Sequence, residues 1–303
     1  MAAIYDAVDG LRHGKGRMVT AAGETLACLC VPALMAAQNW DDHDRSNRAT
    51  AVEMAGNYLR SVGENGILVT HGDNDTFPLW YAQEVEGIRT DVRICNTSLL
   101  GTDWHIDQMT WAVNQSAPLR LSVPHEQYLY GNNEYIPIHD VRNQVMSISD
   151  VMRIFRHPDA RVALTSGRRV DYIPSQRISV PVNKENVIKY GILSADFEPY
   201  IPDEIILTIP SDKTYLTKPE LFFLDLLDNY QWDRPLHFLS MGGDINIGIK
   251  EYLMFEGYSY KFVPVKTGVS TIDAGLIDPV ELDRLFTKEF RFDAVARDDY
   301  FID

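Results

Sequence analysis

Cysteine is scarce in this 303-residue chain, which holds only Cys28, Cys30 and Cys95. The first two stand two apart in an apolar stretch and the third closes another, a pattern that is neither a disulfide framework nor a zinc site. Such thiols read as buried or lipid-facing. Positive charge is scarce as well. With 28 Lys and Arg against 43 Asp and Glu, the net charge is −15. That excludes sequence-independent binding of nucleic acid, which depends on cations neutralising phosphates. It also disfavours electrostatic docking on anionic lipid. No Gly-x-Ser-x-Gly elbow, His-Glu-x-x-His, Cys-x-x-Cys or full dinucleotide fingerprint occurs. Short-period repeats and low-complexity tracts are absent too. What is present is 45% apolar residues, enough for one large domain or two smaller ones.

The first long apolar run begins at Met18. A basic flank (Arg12, His13, Lys15, Arg17) precedes it, and the charged cluster Trp40-Asp41-Asp42-His43-Asp44-Arg45 follows. The run reaches Ala37 but contains Glu24 and Pro32, and its uncharged part, Thr25 to Ala37, is shorter than the ~20 residues a span takes. A terminal membrane helix, a signal-like segment and a buried soluble helix all fit. As a span, it leaves the basic flank in the cytoplasm and puts the rest of the chain outside it. In the charged cluster, His43 and its neighbours are conceivable metal ligands. Adjacent residues rarely face one ion, so an interfacial anchor with Trp40 at the boundary is the simpler account.

Beyond this segment the pattern is α/β. Ala51, Met54, Ala55, Tyr58 and Leu59 form a helical stripe, with Asp44 or Ser46 as cap and Gly63 as stop. "GILVT" reads as a buried strand. Phe77, Trp80, Tyr81 and Val85 then recur at helical spacing, with Pro78 suited to the first turn and Gly87 to the stop. "DVRICN" is a second strand, which completes a βαβ unit. A similar unit is expected in "RPLHFLSMGGDINIGIKEYLMFEGYSYKFVPV", where Gly243-Asp244 and Glu256-Gly257 echo Gly72-Asp73 and Glu86-Gly87. Between the units lie a helix capped by Ser149 or Asp150, edge or irregular strands around Pro174 and Pro181, and an apolar helix led by Pro219. The expected architecture is therefore a Rossmann-like, mostly parallel sheet flanked by helices, with an irregular α+β insertion. Residues 1–44 form the basic N-terminus and apolar segment. Residues 45–265 form the α/β domain, with its insertion near 105–200, and 266–303 an acidic tail.

Candidate chemistry sits after the strands, at the carboxyl edge where parallel sheets bind ligands. Asp73, Asn74 and Asp75 follow the first strand. Two carboxylates one residue apart can hold a divalent cation. They also match the short Asp-x-Asp that many nucleotide-sugar transferases use. The competing reading is a helix cap by Asp75 or Thr76, with Gly72 supplying the turn. Asp103 and His105 follow the second strand and suit acid–base work in the same crevice, or a cap and surface residues. Gly243 and Asp244 mark a second sheet-edge turn.

The stretches "PALMAAQNWDDHDRSNR", "GDNDTFPLWYAQEVEGIRTDVR", "SLLGTDWHIDQM" and "RPLHF" resemble one region of a bacterial membrane protein family, domain of unknown function 2723, also classed as glycosyltransferase family 117. Its members are similar to multi-pass protein O-mannosyltransferases that use lipid-linked sugars. The resemblance implies a soluble, extracytoplasmic (periplasmic) part of such a protein, with the catalytic membrane half absent from this chain. It identifies the chain as a fragment, split product or short paralogue, and carries over no catalytic residue. On this reading the domain is membrane-tethered and positions a glycan or protein acceptor. A self-contained cation-dependent enzyme and a purely structural remnant are the alternatives.

Overall fold

A computed structural model of the chain describes residues 15–43, 49–140, 143–240, 245–268, 275–294 and 296. The chain divides into two units. One takes in residues 1–49 and 297–303, the other residues 50–296.

Helix α1 (Lys15–His43) is the described part of the first unit. Its segment Val19–Trp40, 22 residues, is long and apolar enough to cross a membrane. At a rise of about 1.5 Å per residue it covers a hydrocarbon core of about 30 Å. Glu24 and Pro32 do not end the helix. Thr25 satisfies its hydroxyl internally, on the Ala21 carbonyl at 2.8 Å. Among the described residues none of the segment is buried, unlike the core helix of a soluble protein. Of the charged cluster after it, only Trp40 has a described side chain.

The second unit opens with α2 (Thr50–Arg60), β1 (Ile67–Thr70), α3 (Gly72–Glu84) and β2 (Arg93–Asn96). The βαβ unit is present, and β1 pairs with β2 in parallel from Ile67↔Arg93 to Thr70↔Asn96. α2 begins at Thr50, and the proposed caps Asp44 and Ser46 lie outside the described residues. α4 (Asp103–Met109) follows, then α5 (His125–Tyr128), β3 (Tyr135–Pro137) and β4 (Val145–Ser147). α6 (Ile148–Arg156) is capped by Ser147, whose hydroxyl accepts the Asp150 N–H, and not by Ser149 or Asp150. β5 (Val162–Ala163), β6 (Arg169–Val170), β7 (Arg177–Pro181), α7 (Lys184–Lys189), β8 (Glu204–Thr208) and β9 (Tyr215–Thr217) build three small sheets: β3-β9, β5-β6 and β4-β7-β8. β7 is central in the last of these, not an edge, because Pro174 precedes it and Pro181 ends it.

α8 (Lys218–Asp228) is the apolar helix expected there, and the Glu220 carboxylate accepts the Thr217 N–H at 2.9 Å in a capping box. β10 (Leu236–Phe238), β11 (Leu253–Glu256), β12 (Ser259–Phe262) and α9 (Pro279–Arg284) complete the unit. The main sheet runs β11-β12-β10-β1-β2. Only β10, β1 and β2 are parallel, and β11 and β12 pair antiparallel. The second βαβ unit is therefore absent. A short 3₁₀ turn, Ile249–Tyr252, replaces its helix, and Gly257-Tyr258, after Glu256 at the end of β11, becomes a hairpin turn with Gly257 at φ +62°. A Cβ there would stand 2.5 Å from Ser61 Oγ, so only glycine fits. The result is a mixed α/β unit with several small sheets.

α2 and α3 cover one face of the main sheet through Leu59, Leu79 and Ala82 against Leu68 and Ile94. α8 covers the other, with Phe223 and Leu227 in a core that includes Ile67, Val69 and Phe238. Two motif arginines hold the frame by capping carbonyls. Arg89 donates to Leu59, Val62 and Gly63 at the end of α2, and pairs with Asp91 at 2.8 Å. Arg234 donates to Asn65 and Ala117, and burial lowers its pKa to about 10. Residues 275–294 return to α2, where the Asn57 side chain bonds the Arg291 backbone in both directions, at 2.7 and 2.9 Å.

Candidate functional site

The carboxyl ends of β1 and β2 are tied to the start of α3 by one buried polar hub. The strands end in Thr70 and Asn96, and Thr76 rises from the first turns of α3. All three side chains are buried. The Thr76 hydroxyl donates to the Gly72 carbonyl at 2.7 Å, so it accepts from Thr70 Oγ1 and Asn96 Nδ2, each at 2.7 Å. Asn96 Oδ1 accepts the N–H groups of Ser98 and Leu99 at 2.8 and 3.1 Å, which turns the chain after β2.

This hub explains why α3 starts at Gly72 and not three residues later. Gly72 has φ +73°, and its carbonyl is held by Thr76 and Asn96. The cap His71 makes no side-chain capping bond, and neither Asp75 nor Thr76 is the cap expected from the sequence. Pro78 consequently falls inside the helix, beyond its first turn. Its missing N–H leaves the Asn74 carbonyl to water, which the exposed position of Asn74 permits.

Thr76→Val is expected to lower stability by about 2 kcal/mol, because it keeps the volume but removes the acceptor for a buried amide and a buried hydroxyl. Urea unfolding would measure this. A loss well under 1 kcal/mol would show that the hub adds no net stability.

Above the hub lies a cleft of about 320 Å³. His71 comes from the end of β1, Thr97 and Ser98 from the end of β2, and Glu134, Tyr135 and Lys218 face them. Thr97 donates to the Thr70 carbonyl, so its oxygen accepts from His71 Nδ1 at 2.9 Å. The Lys218 ammonium, 1% exposed, bonds Glu134 at 2.7 Å and the Leu129 carbonyl at 3.2 Å. An imidazole, hydroxyls and a neutralised cation thus converge, which suits hydrogen bonding to a polar ligand.

The sequence candidates are distributed differently. Asp73 and Asn74 are exposed on the first turn of α3, and Asp75 is half-buried. The charge of Asp75 acts on the Tyr58 phenol of α2, whose pKa is raised first by burial and then by that carboxylate. None of the three lines the cleft. Asp103 accepts the N–H of its neighbour Trp104 at 2.8 Å. His105 is buried on a different flank, in a cavity that contains neither Asp73 nor Asp75. Gly243 and Asp244 lie outside the described residues. Among the described residues no group of three or more His, Cys, Asp or Glu could hold a metal ion.

His71, Thr97 and Lys218 escaped the sequence reading. The first two stand at strand ends, which is a usable signal, whereas Lys218 reaches the cleft only through the placement of α8.

The profile of a known family, TMEM260-associated domain 2, matches residues 51–281. No curated protein and no solved structure matches the chain.

Proposed function

The chain belongs to the TMEM260-associated domain 2 family, and on that premise we propose a membrane-tethered accessory domain that positions a glycan or protein acceptor for a glycosyltransferase-type membrane protein. The apolar helix segment Val19–Trp40, directly ahead of a matched region that begins at residue 51, carries this reading. The basic residues before the helix support a cytoplasmic N-terminus and an extracytoplasmic, periplasmic domain. In this arrangement residues 1–44 anchor the chain, 45–265 handle the ligand, and 266–303 follow as the acidic tail. The kinship with domain of unknown function 2723 and glycosyltransferase family 117 is part of the same proposal. The cleft with His71, Thr97 and Lys218 is its proposed contact for the acceptor.

Two measurements test the tether. Alkaline carbonate extraction is expected to leave the chain in the membrane pellet. An Ala195→Cys variant is expected to react with a membrane-impermeant maleimide once the periplasm is opened, with the inner membrane intact. Ala195 is exposed, and Cys95 is fully buried with its thiol pushed up to about 12 by burial, so with the exposed Cys28 and Cys30 replaced by alanine the native background is low. Recovery of the unprocessed chain in the soluble fraction, or labelling only after the inner membrane is permeabilised, would overturn the proposal.

A further inference from the structure

The main sheet ends at β2, and the flank beyond that strand holds a cavity of about 480 Å³. α3, α4 and the loop after α4 form its walls. Three of the five tryptophans of the chain meet there: Trp80, Trp104 and Trp111. Trp104 and Trp111 are 47% and 57% exposed, so two large aromatic surfaces border the opening.

His105, only 1% exposed, also lines the cavity. Its Nε2 accepts the Asn96 N–H at 3.3 Å, which puts the ring proton on Nδ1. Nδ1 is buried and makes no hydrogen bond of full geometry, although the Gln108 side chain in the same cavity is near enough to raise the ring's pKa against the effect of burial. A buried donor without an acceptor is costly, and an oxygen supplied by a ligand would satisfy it. Burial also lowers the His105 pKa to about 4, so the ring is a neutral donor.

The remaining polar groups select against an anion. Each nitrogen of Arg93 already donates within the chain, to Ser116 Oγ and to the carbonyls of Gln108, Trp111, Ser116 and Ala117. At the rim, Asn114 donates to the Glu84 carboxylate at 2.8 Å. Aromatic faces beside neutral donors and acceptors match a ring with C–H bonds on one face and hydroxyls around its edge.

We propose that this cavity binds one neutral hexopyranose ring, stacked on Trp104 and Trp111 and accepting a hydrogen bond from His105 Nδ1. This rests on the glycan-positioning role proposed above and gives it a site, separate from the cleft at the carboxyl edge. A proline-rich peptide also stacks on tryptophan. The single enclosed donor favours the sugar, because a peptide of that kind lies along a shallow groove.

The test is saturation-transfer NMR on the full chain in phospholipid nanodiscs, which carry no sugar headgroups. The probes are methyl glycosides of mannose, glucose and galactose, with a proline-rich decapeptide as competitor class. At least one glycoside is expected to bind saturably, about tenfold more weakly to Trp104→Ala and to Trp111→Ala. Both side chains are half exposed, so unchanged thermal midpoints would confirm that the variants fold. Trp40→Phe, in the other unit of the chain, is expected to bind as the parent does. Absence of saturable binding by all three glycosides, equal binding by both tryptophan-to-alanine variants, or binding of the peptide alone would overturn the proposal. The maleimide result above does not depend on any of these outcomes, so the two proposals fail separately.

Discussion

Asp225→Asn is expected to lower the unfolding free energy by about 4 kcal/mol and the thermal midpoint by about 10 °C. Asp225 is fully buried on α8, a helix otherwise dominated by Leu and Phe. Its carboxylate accepts the Ser122 N–H at 2.9 Å, the Ser122 hydroxyl at 2.7 Å, the Val123 N–H at 3.0 Å and the Tyr128 hydroxyl at 3.1 Å. It thereby ties the segment before α5 to the central helix. Burial, and then the Asp225 charge, raises the Tyr128 phenol well above its usual pKa, so that group remains a donor. An asparagine in this place keeps one acceptor oxygen and turns an NH₂ toward groups that are themselves donors. Two backbone N–H groups, a phenol and a hydroxyl then compete for one oxygen, and the unmade bonds in a buried site carry the full desolvation cost. Urea unfolding followed by tryptophan emission measures the effect. The expected signature is a lower midpoint with an unchanged denaturant slope. A change below about 1 kcal/mol would mean that this carboxylate contributes no more than an ordinary hydrogen bond.

Acidification from about pH 7 to about pH 5 is expected to destabilise the Thr50–Ala296 unit by about 4 kcal/mol through two histidines. His105 and His237 are buried. Burial lowers the His105 pKa to about 4. Burial, and then the charges of Lys261 and Arg89, holds His237 well below the ordinary range. Nδ1 of His237 bonds Ser259 Oγ at 2.9 Å. In the unfolded chain both rings protonate near pH ~6.5. Both folded pKa values are depressed, so the unfolded state binds more protons below that point. Stability is fully present above it and falls as pH drops, by about 1.4 kcal/mol per pH unit for each ring. Glu256 works in the opposite sense. Burial raises its pKa despite the facing Lys261, so its contribution is present at low pH and fades as pH rises, which offsets part of the loss. On unfolding at about pH 5.5 the two rings together should take up about two protons, less what Glu256 releases, and His237→Gln should remove about one of them. A flat stability profile between about pH 7 and about pH 5 would refute the assignment.

Much of the frame was legible because it is local. The strands at Ile67–Thr70 and Arg93–Asn96 are short apolar runs bounded by turn formers, and a sheet buries such runs wherever it lies. α8 announced itself by Pro219 at the head of an apolar stretch, and the structure adds the capping box of Thr217 and Glu220. Gly87 ends the descent from α3 with φ +67°, as a glycine past a helix end does. The second βαβ unit misled for the same local reason. "GIKEYLMFEG" has helical spacing, yet its Leu253–Glu256 part pairs with Ser259–Phe262, because a two-residue glycine turn lets the chain fold back on itself. A hairpin and a helix compete for one apolar run, and the neighbouring β10 decided between them.

The site divides along the same line. Sequence alone determined the acidic composition, the apolar N-terminal segment, the parallel pair β1 and β2, and a polar knot at their carboxyl ends. Those depend on composition and on contacts between near neighbours. Tertiary structure decided what the knot does. Thr76, an uncharged member of "GDNDTF", proved to be its buried centre, because Thr70 and Asn96 reach it from two strands. Asp73 and Asn74, the most conspicuous members, face solvent. His105, expected at the same sheet edge, lines the tryptophan cavity on the flank of β2. Spacing along a chain reports which residues share a turn. Which of them share a cavity depends on where distant elements pack.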